Sequence, residues 1–501
     1  MGVYFIVGNM LPKFRKKTDN IFLTVLFKEK YIKQFGLNNI LSPLIQDLMD
    51  LESIGISVVI NNTEKIVKGS LIAVLADNLG SHQIGGFCEN FSTSQYVCRY
   101  CYIESKCFKK SDSIHPVAEL RNPTNYKADL EELLSNNEFN NVRGIKTKSC
   151  LNKLKYYNIC NPGLPPCIAH DLFEGFAKRD LKYIIDYYIN SRIISLNFLN
   201  SSLKILSRKL KLNVSFPIIK ETKKLPGKAH EIWMIIILFP LIMLPKNIST
   251  STNVWKMFVA LLKIVRIVCA DEITFDQISF LEMLISEYFY YRHLCFEKQS
   301  ITPKQHYLSH YPFLIKQFGP LINVWTMHCE RKHHTLKSIY KKAQNSINIT
   351  KTICETHQLY QSTLQYCRFP EAITCRISSF VHPGMFDTNQ FQYICENITI
   401  HDVTYKKDEY VVIGVEENFN IKLLQIRYIF SKTNYEDPTF YGTTCEMFYN
   451  YRNGLYELIK KSSLHEYAPH ANLKFRYSVL LYTLKNSTYL SLPSSVYNGR
   501  Q

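Results

Sequence analysis

Apolar and polar positions in the first hundred residues alternate between strand and helix periods. Gly2–Val7 (GVYFIV) and Ile21–Phe27 (IFLTVLF) are short apolar runs that predict strands. Ile40, Leu41, Leu44, Ile45, Leu48 and Leu51 fall at helical spacing and predict an amphipathic helix over Asn39–Glu52. Ile56–Ile60 and Glu64–Lys68 flank Asn61-Asn62, a hairpin turn pair. Leu71–Asp77 is rich enough in Leu, Ile and Val to predict a strand buried on both faces, with the acidic Asp77 at its tip.

Residues 102–150 are polar and loop-rich, with one helix expected near Asp129–Ser135. Asp171–Ile189, Val254–Cys269 and Phe275–Phe296 carry long helical patterns. Ile232–Leu244 is the most apolar stretch. It is short for a bilayer and holds Pro240, so a buried core helix or helix pair is expected. Pro303–Pro320, with its prolines and histidines, predicts a structured connection, and Glu330–Ala343 a basic helix. Beyond about residue 380 the pattern shifts to short alternating runs (Ile398–Val403, Tyr410–Val415, Leu423–Ile429), which predict a small β-rich, barrel-like domain.

Bulk properties narrow the picture modestly. The 501 residues suffice for two or three domains. Net charge is +18, which suits a polyanionic partner such as DNA or RNA, although a Lys-rich coding bias gives the same number. The fifteen cysteines are irregularly spaced, and Met1–Met10 has no signal-peptide pattern, so reduced thiols are expected, some of them free to bind metal.

Several side chains could carry chemistry. Asp77 and Glu330 are carboxylates that could meet at a two-metal phosphodiester site. The plainer alternative is that Asp77 caps the following turn and Glu330 pairs with Arg331 or Lys332. Cys98-x-x-Cys101 has zinc-knuckle spacing and lacks two ligands. Cys167-x-x-His170 is the preferred partner pair, with Cys88, Cys107, His306 and His310 as further options. For His306 and His310, four residues apart, packing as core histidines is the favoured reading. Arg331, Lys332, Lys337, Lys341 and Lys342 form a basic face that could clamp DNA phosphates. There is no P-loop, dinucleotide fingerprint or GxSxG elbow.

The blocks LADNLGSHQIGGFCENFSTSQYVCRYC, LPPCIAHDLFEG, PKQHYLSHYPFLIKQFGPLINVWTMHCERKHHTLK and NITKTICETHQLYQ occur in this order. Together they resemble the transposases of cut-and-paste DNA elements, nearest the CACTA (En/Spm-like) type, from about residue 2 to 365. The resemblance implies an α/β RNase H-like mixed sheet, here incomplete, interrupted by a large helical insertion and followed by the β-rich domain. The expected division is 1–101, 102–320, 321–380 and 381–501. Asp77 and Glu330 would be the second and third acids of a DDE triad, Cys98 and Cys101 the family CxxC, and Cys167 and His170 its [C/D]-x-x-H motif. His170 would lie near the scissile phosphate or share the zinc. The implied ions are ancestral Mg²⁺ and structural Zn²⁺. The implied partner is DNA, with a homo-oligomer as a further option, and neither a membrane nor a small-molecule cofactor is implied. Nuclear location follows from the DNA substrate. The family's first catalytic Asp lies on a strand upstream of the segment that here begins MGVYFIV, and Asp19 sits at the wrong end of the sheet to replace it. The expectation is therefore an N-terminally truncated transposase remnant without activity, or a domesticated factor that binds DNA or protein without chemistry.

Overall fold

The computed structural model describes residues 1–109, 118–136, 138–343, 347–366, 373–381, 391–400, 402–416, 418–432 and 438–496. Of the polar stretch 102–150, residues 110–117 and 137 lie outside this set. The chain divides into two units. One comprises Met1–Phe176 and Phe296–Phe369, the other Ala177–Cys295 and Pro370–Gln501. In this grouping Ala177–Cys295, a part of the expected 102–320 insertion, clusters with the C-terminal strands, and the rest of that stretch falls in the first unit.

In the first unit, β1 (Gly2–Phe5) pairs antiparallel with β2 (Phe22–Leu26). The expected amphipathic helix runs from Leu37 to Ser53 and buries Leu41 and Ile45. β3 (Ile56–Ile60) and β4 (Thr63–Val67) form the expected hairpin. Leu71–Asp77 departs from expectation: it has no regular secondary structure and joins no ladder among the described residues. Its apolar side chains are used differently. Leu71 and Val74 pack on a core containing Leu41, Ile45, Phe87, Ile145, Leu151 and Leu164. The Val74 amide donates to the Gly163 carbonyl at 2.9 Å. The expected burial on both faces is not found: Leu71 and Val74 are half-buried against a helix and a loop, and Ile72 is exposed. Among the described residues this unit holds two separate two-stranded antiparallel sheets and no mixed sheet.

The helix Asn78–Gly85 begins directly at Asp77 and ends on Gly86 in the left-handed region (φ 74°). A Cβ there would stand 2.1 Å from the Thr147 carbonyl oxygen, so only glycine fits this close approach. The helix Pro123–Ser135 starts where local chemistry directs it: Asn122 and Asn125 form a reciprocal capping box, with Pro123 in the first turn. The Pro303–Pro320 connection is helical over Pro303–His306, Tyr307–His310 and Tyr311–Phe318.

In the second unit the helices are Ala177–Asn190, Leu196–Lys209, Ala229–Met243, Asn253–Val268 and Phe275–Phe296. The expected helix at Asp171–Ile189 is two pieces, Ala169–Phe176 and Ala177–Asn190, with non-helical torsions at Gly175. Pro240 does not interrupt Ala229–Met243. Ala229–Lys246 is long and apolar enough to cross a bilayer, contrary to the length argument, yet 61% of it is buried inside the fold. Asp180 is fully buried and accepts from Arg292 Nε at 2.9 Å and from the Tyr288 hydroxyl.

The C-terminal strands form one nine-stranded antiparallel sheet. They are β5 (Ile373–Phe380), β6 (Tyr393–Ile400), β7 (Val403–Lys406), β8 (Tyr410–Val415), β9 (Ile421–Ser431), β10 (Thr439–Asn450), β11 (Leu455–Pro469), β12 (Tyr482–Leu484) and β13 (Ser487–Leu490). The expected Ile398–Val403 strand divides at a turn with Asp402 at φ 70°, and His401 lies outside the described residues. Arg266, on the helix Asn253–Val268, donates to the carbonyls of Leu492 (2.9 Å) and Gly454 (2.6 Å). Trp255 Nε1 donates to the Arg452 carbonyl at 2.8 Å. Such buried side-chain to backbone bonds tie helices 177–295 to the sheet and explain why the two cluster together.

Candidate metal centre and basic helix

The Cys98–Cys101 loop is stitched in place by backbone bonds. Arg121 N donates to the Tyr100 carbonyl and Tyr102 N to the Glu119 carbonyl, both at 2.9 Å. The Tyr100 amide points at Cys98 Sγ (3.3 Å). Between the cysteines, Arg99 is buried against the rings of Tyr100 and Tyr307 (4.6 and 4.7 Å to the centroids) and donates to Asn78 Oδ1 at 2.7 Å.

His306 and His310 lie four residues apart on consecutive helical turns, which turns both rings to one side. His306 stacks on Phe108 (5.2 Å). His82 donates from Nδ1 to the Cys88 carbonyl at 2.7 Å, leaving Nε2 to accept from the Tyr307 hydroxyl at 3.1 Å. Burial, reinforced by Arg99, pushes the His82 pKa down to about 3, so it stays neutral and keeps this tautomer.

These two elements bring Cys98, Cys101, His306 and His310 together, all buried, with ligand atoms within 4.8 Å of one another. Cys98 Sγ is 3.5 Å from His310 Nε2, Cys101 Sγ is 3.3 Å from His306 Nε2, and the two Nε2 atoms are 3.2 Å apart. A tetrahedral zinc with ordinary Zn–S and Zn–N bonds holds its ligand atoms roughly 3.3–3.8 Å apart. The cluster is compatible with that ion in donor type and count, and these three distances are close to that range. Burial opposes ionisation of Cys98, but the Cys101 thiol and the facing His306 and His310 outweigh it and hold the Cys98 thiol well below its ordinary value. The Cys101 thiol, donating to Cys98, moves the opposite way. Cys167 and His170, the expected partner pair, do not complete the CxxC site; the buried His306 and His310 stand there instead. The i,i+4 histidines were visible in sequence, but nothing local tied them to cysteines some 200 positions away.

Cys167 and His170 belong instead to a second polar cluster. Cys167 Sγ lies 3.1 Å from His170 Nδ1 and 3.0 Å from Thr326 Oγ1. Thr326 donates to Glu330 Oε1 (3.0 Å), and His170 Nε2 lies 3.5 Å from the same carboxylate oxygen. The hydrogen bond with Cys167 raises the His170 pKa to about 9, against burial and with help from Glu330. Glu330 thus pairs with His170 and Thr326 rather than with Arg331 or Lys332. It lies in the first turn of the helix Met327–Ala343, where a carboxylate suits the helix dipole. Lys304 donates to the His170 carbonyl at 2.9 Å, two residues before His306, and so links this cluster to the four-ligand one. Thr326 and Lys304 carry no sequence signal as site residues. Neither does the buried Asp171, whose carboxylate oxygens have no hydrogen-bond partner among the described residues and whose pKa burial raises.

Asp77 is exposed and accepts from the Gly80 amide at 2.7 Å as the N-cap of the next helix. It does not share a ligand cluster with Glu330. Among the described residues the four Cys/His side chains form the only group of three or more candidate ligands.

On the basic helix, Arg331, Lys337, Lys341 and Lys342 are exposed. Lys332 is not. It is buried, donates to the Thr18 carbonyl at 3.0 Å, and has its pKa lowered by burial. It is removed from the expected phosphate-binding set. His333, on the same helix, bonds the Tyr4 hydroxyl at 3.0 Å and anchors the helix to β1. The cysteines among the described residues are all free thiols. No known protein family and no characterised protein matches the chain.

Proposed function

We propose that this chain is a transposase-derived, zinc-organised DNA-binding protein that does not cut DNA. The observation that carries the reading is the meeting of Cys98 and Cys101 with His306 and His310, across some 200 residues and twenty positions before Glu330. It brings together the first and third of the blocks that carry the resemblance. Bound zinc would supply a rigid cross-link between the CxxC loop and the His306–His310 turn. That cross-link sets where the helix Met327–Ala343 begins. The exposed Arg331, Lys337, Lys341 and Lys342 on that helix then meet DNA phosphates, which bind without sequence reading.

Mg²⁺-dependent phosphodiester hydrolysis and strand transfer belong in this reading to active transposases. Such chemistry needs carboxylates clustered on two metal ions. Here Asp77 is engaged as a helix cap, and Glu330 faces an imidazole. Action on DNA places the protein in the nucleus.

The test is purification of the full chain with metal analysis and DNA titration. One zinc per chain, and duplex binding that weakens steeply with salt, are expected. Incubation with Mg²⁺ or Mn²⁺ should leave terminal-repeat DNA intact. Cleavage that Asp77→Asn abolishes would reverse the proposal in favour of an active enzyme.

A further inference from the structure

The hairpin β3–β4 is exposed on both faces: Val59 and Ile66 are 69% and 68% accessible, and Ile56, Ile60 and Val67 are also exposed. Neither strand has a second partner among the described residues. A two-stranded sheet is marginal in water, and open apolar edges are ordinarily covered or charged.

Backbone geometry states which groups are open. Asn61 and Asn62 have φ 50° and 57°, a two-residue turn of the primed type. Ile60 and Thr63 then close the ladder as a hydrogen-bonded pair, followed by Val58 with Lys65 and Ile56 with Val67. The N–H and C=O groups of Glu64 and Ile66 therefore point away from β3, along the free edge of β4.

We propose that this edge is a homodimer interface, with β4 of one copy pairing antiparallel to β4 of a second about a two-fold axis at Ile66. Charge complementarity of the edge with its own copy argues for a second copy as the occupant, and among the axes along β4 only the one at Ile66 sets opposite charges face to face. An axis at Lys65 sets lysine opposite lysine, and an axis at Glu64 sets glutamate opposite glutamate, both destabilising. The axis at Ile66 places Ile66 opposite its own copy and Glu64 opposite the partner's Lys68, twice by symmetry. The product is a four-stranded sheet whose apolar side chains have neighbours, with an interface of the self-complementary kind expected of a two-fold dimer. Within its own chain Glu64 also accepts from Ser57, which orients it along this face. The inference is independent of DNA binding.

Sedimentation equilibrium on the full chain tests it. The wild type should dimerise. Glu64→Lys and Lys68→Glu should each weaken dimerisation by about tenfold, since two cross-strand pairs become repulsive. The double reversal should restore it. Ile66→Pro should abolish it while circular dichroism stays unchanged, because the lost N–H faces the open edge. A chain that stays monomeric at high micromolar concentration overturns the proposal. So does a dimer indifferent to the single reversals, or one that the double reversal fails to recover.

Discussion

Two histidine-bearing clusters of the same unit look alike in sequence and differ in kind. The group Cys98, Cys101, His306 and His310 is closed: four candidate ligands, all buried, within 4.8 Å of one another. The group Cys167, His170, Thr326 and Glu330 is open: a half-exposed carboxylate faces an imidazole held protonated by its neighbours. Donor count and solvent access separate a structural metal site from a site with a spare charge. Spacing motifs alone do not separate them, because CxxC and CxxH are equally short.

The sharpest way to break this comparison is to remove a ligand. Cys101→Ser or His306→Ala should abolish zinc stoichiometry and unfold the first unit. Structural zinc contributes on the order of 10 kcal/mol, comparable to a domain's whole stability. Metal analysis with thermal melts reads this; a metal-free protein with an unshifted melting temperature would count against a structural zinc. Cys167→Ala, by contrast, should leave zinc at one per chain.

Next in size is the basic face. Replacing Arg331, Lys337, Lys341 and Lys342 together by Ala should flatten the slope of log K against log salt by roughly 3–4, at ~0.9 per phosphate contact. Lys332→Met should leave that slope unaltered, because its ammonium faces the Thr18 carbonyl. Fluorescence anisotropy across a salt series distinguishes them, and an equal effect of Lys332 would show that the face is wrongly drawn.

A smaller effect concerns His170. Its pKa of about 9 should fall more in Cys167→Ala than in Glu330→Gln, because the Cys167 hydrogen bond is the larger cause. Imidazole NMR titration reports the order directly. The sign in stability follows from the raised value. The protonated ring contributes its full stabilisation below the unfolded pKa of about 6.5. That contribution declines as pH rises from there and is gone above about 9. The difference in melting temperature between wild type and His170→Gln should shrink over that window; a gap that widens with pH would contradict the assignment. Smallest of all, Asp77→Ala should cost about 1 kcal/mol of stability through the lost cap. A denaturant midpoint that does not move would remove even that role.

Local elements were largely legible. The hairpin around Asn61-Asn62, the amphipathic Leu37–Ser53 helix, Phe275–Phe296 and Tyr410–Val415 are set by periodicity and turn residues that act within a few positions. Leu71–Asp77 was misread because an apolar run demands burial without saying what buries it. The CxxC was legible as half of a site, and its missing half was not, since His306 and His310 carry the same local signature whether packed or ligating. Lys332 shows the same limit in reverse. A charge in a basic run reads as exposed until the neighbours that bury it are known.

The sequence by itself determined the inventory: which stretches are helical, where the turns lie, and that thiols, imidazoles, carboxylates and a basic helix are present. The tertiary structure decided the pairings. It put His306 and His310 beside the CxxC, Cys167 and His170 beside Glu330, Asp77 on a helix end, and Ala177–Cys295 with the C-terminal sheet. The physical reason is range. Propensity, capping and turn geometry act over about four residues, whereas a metal tetrahedron or a buried core is closed by chain segments hundreds of positions apart, which only folding brings within bonding distance.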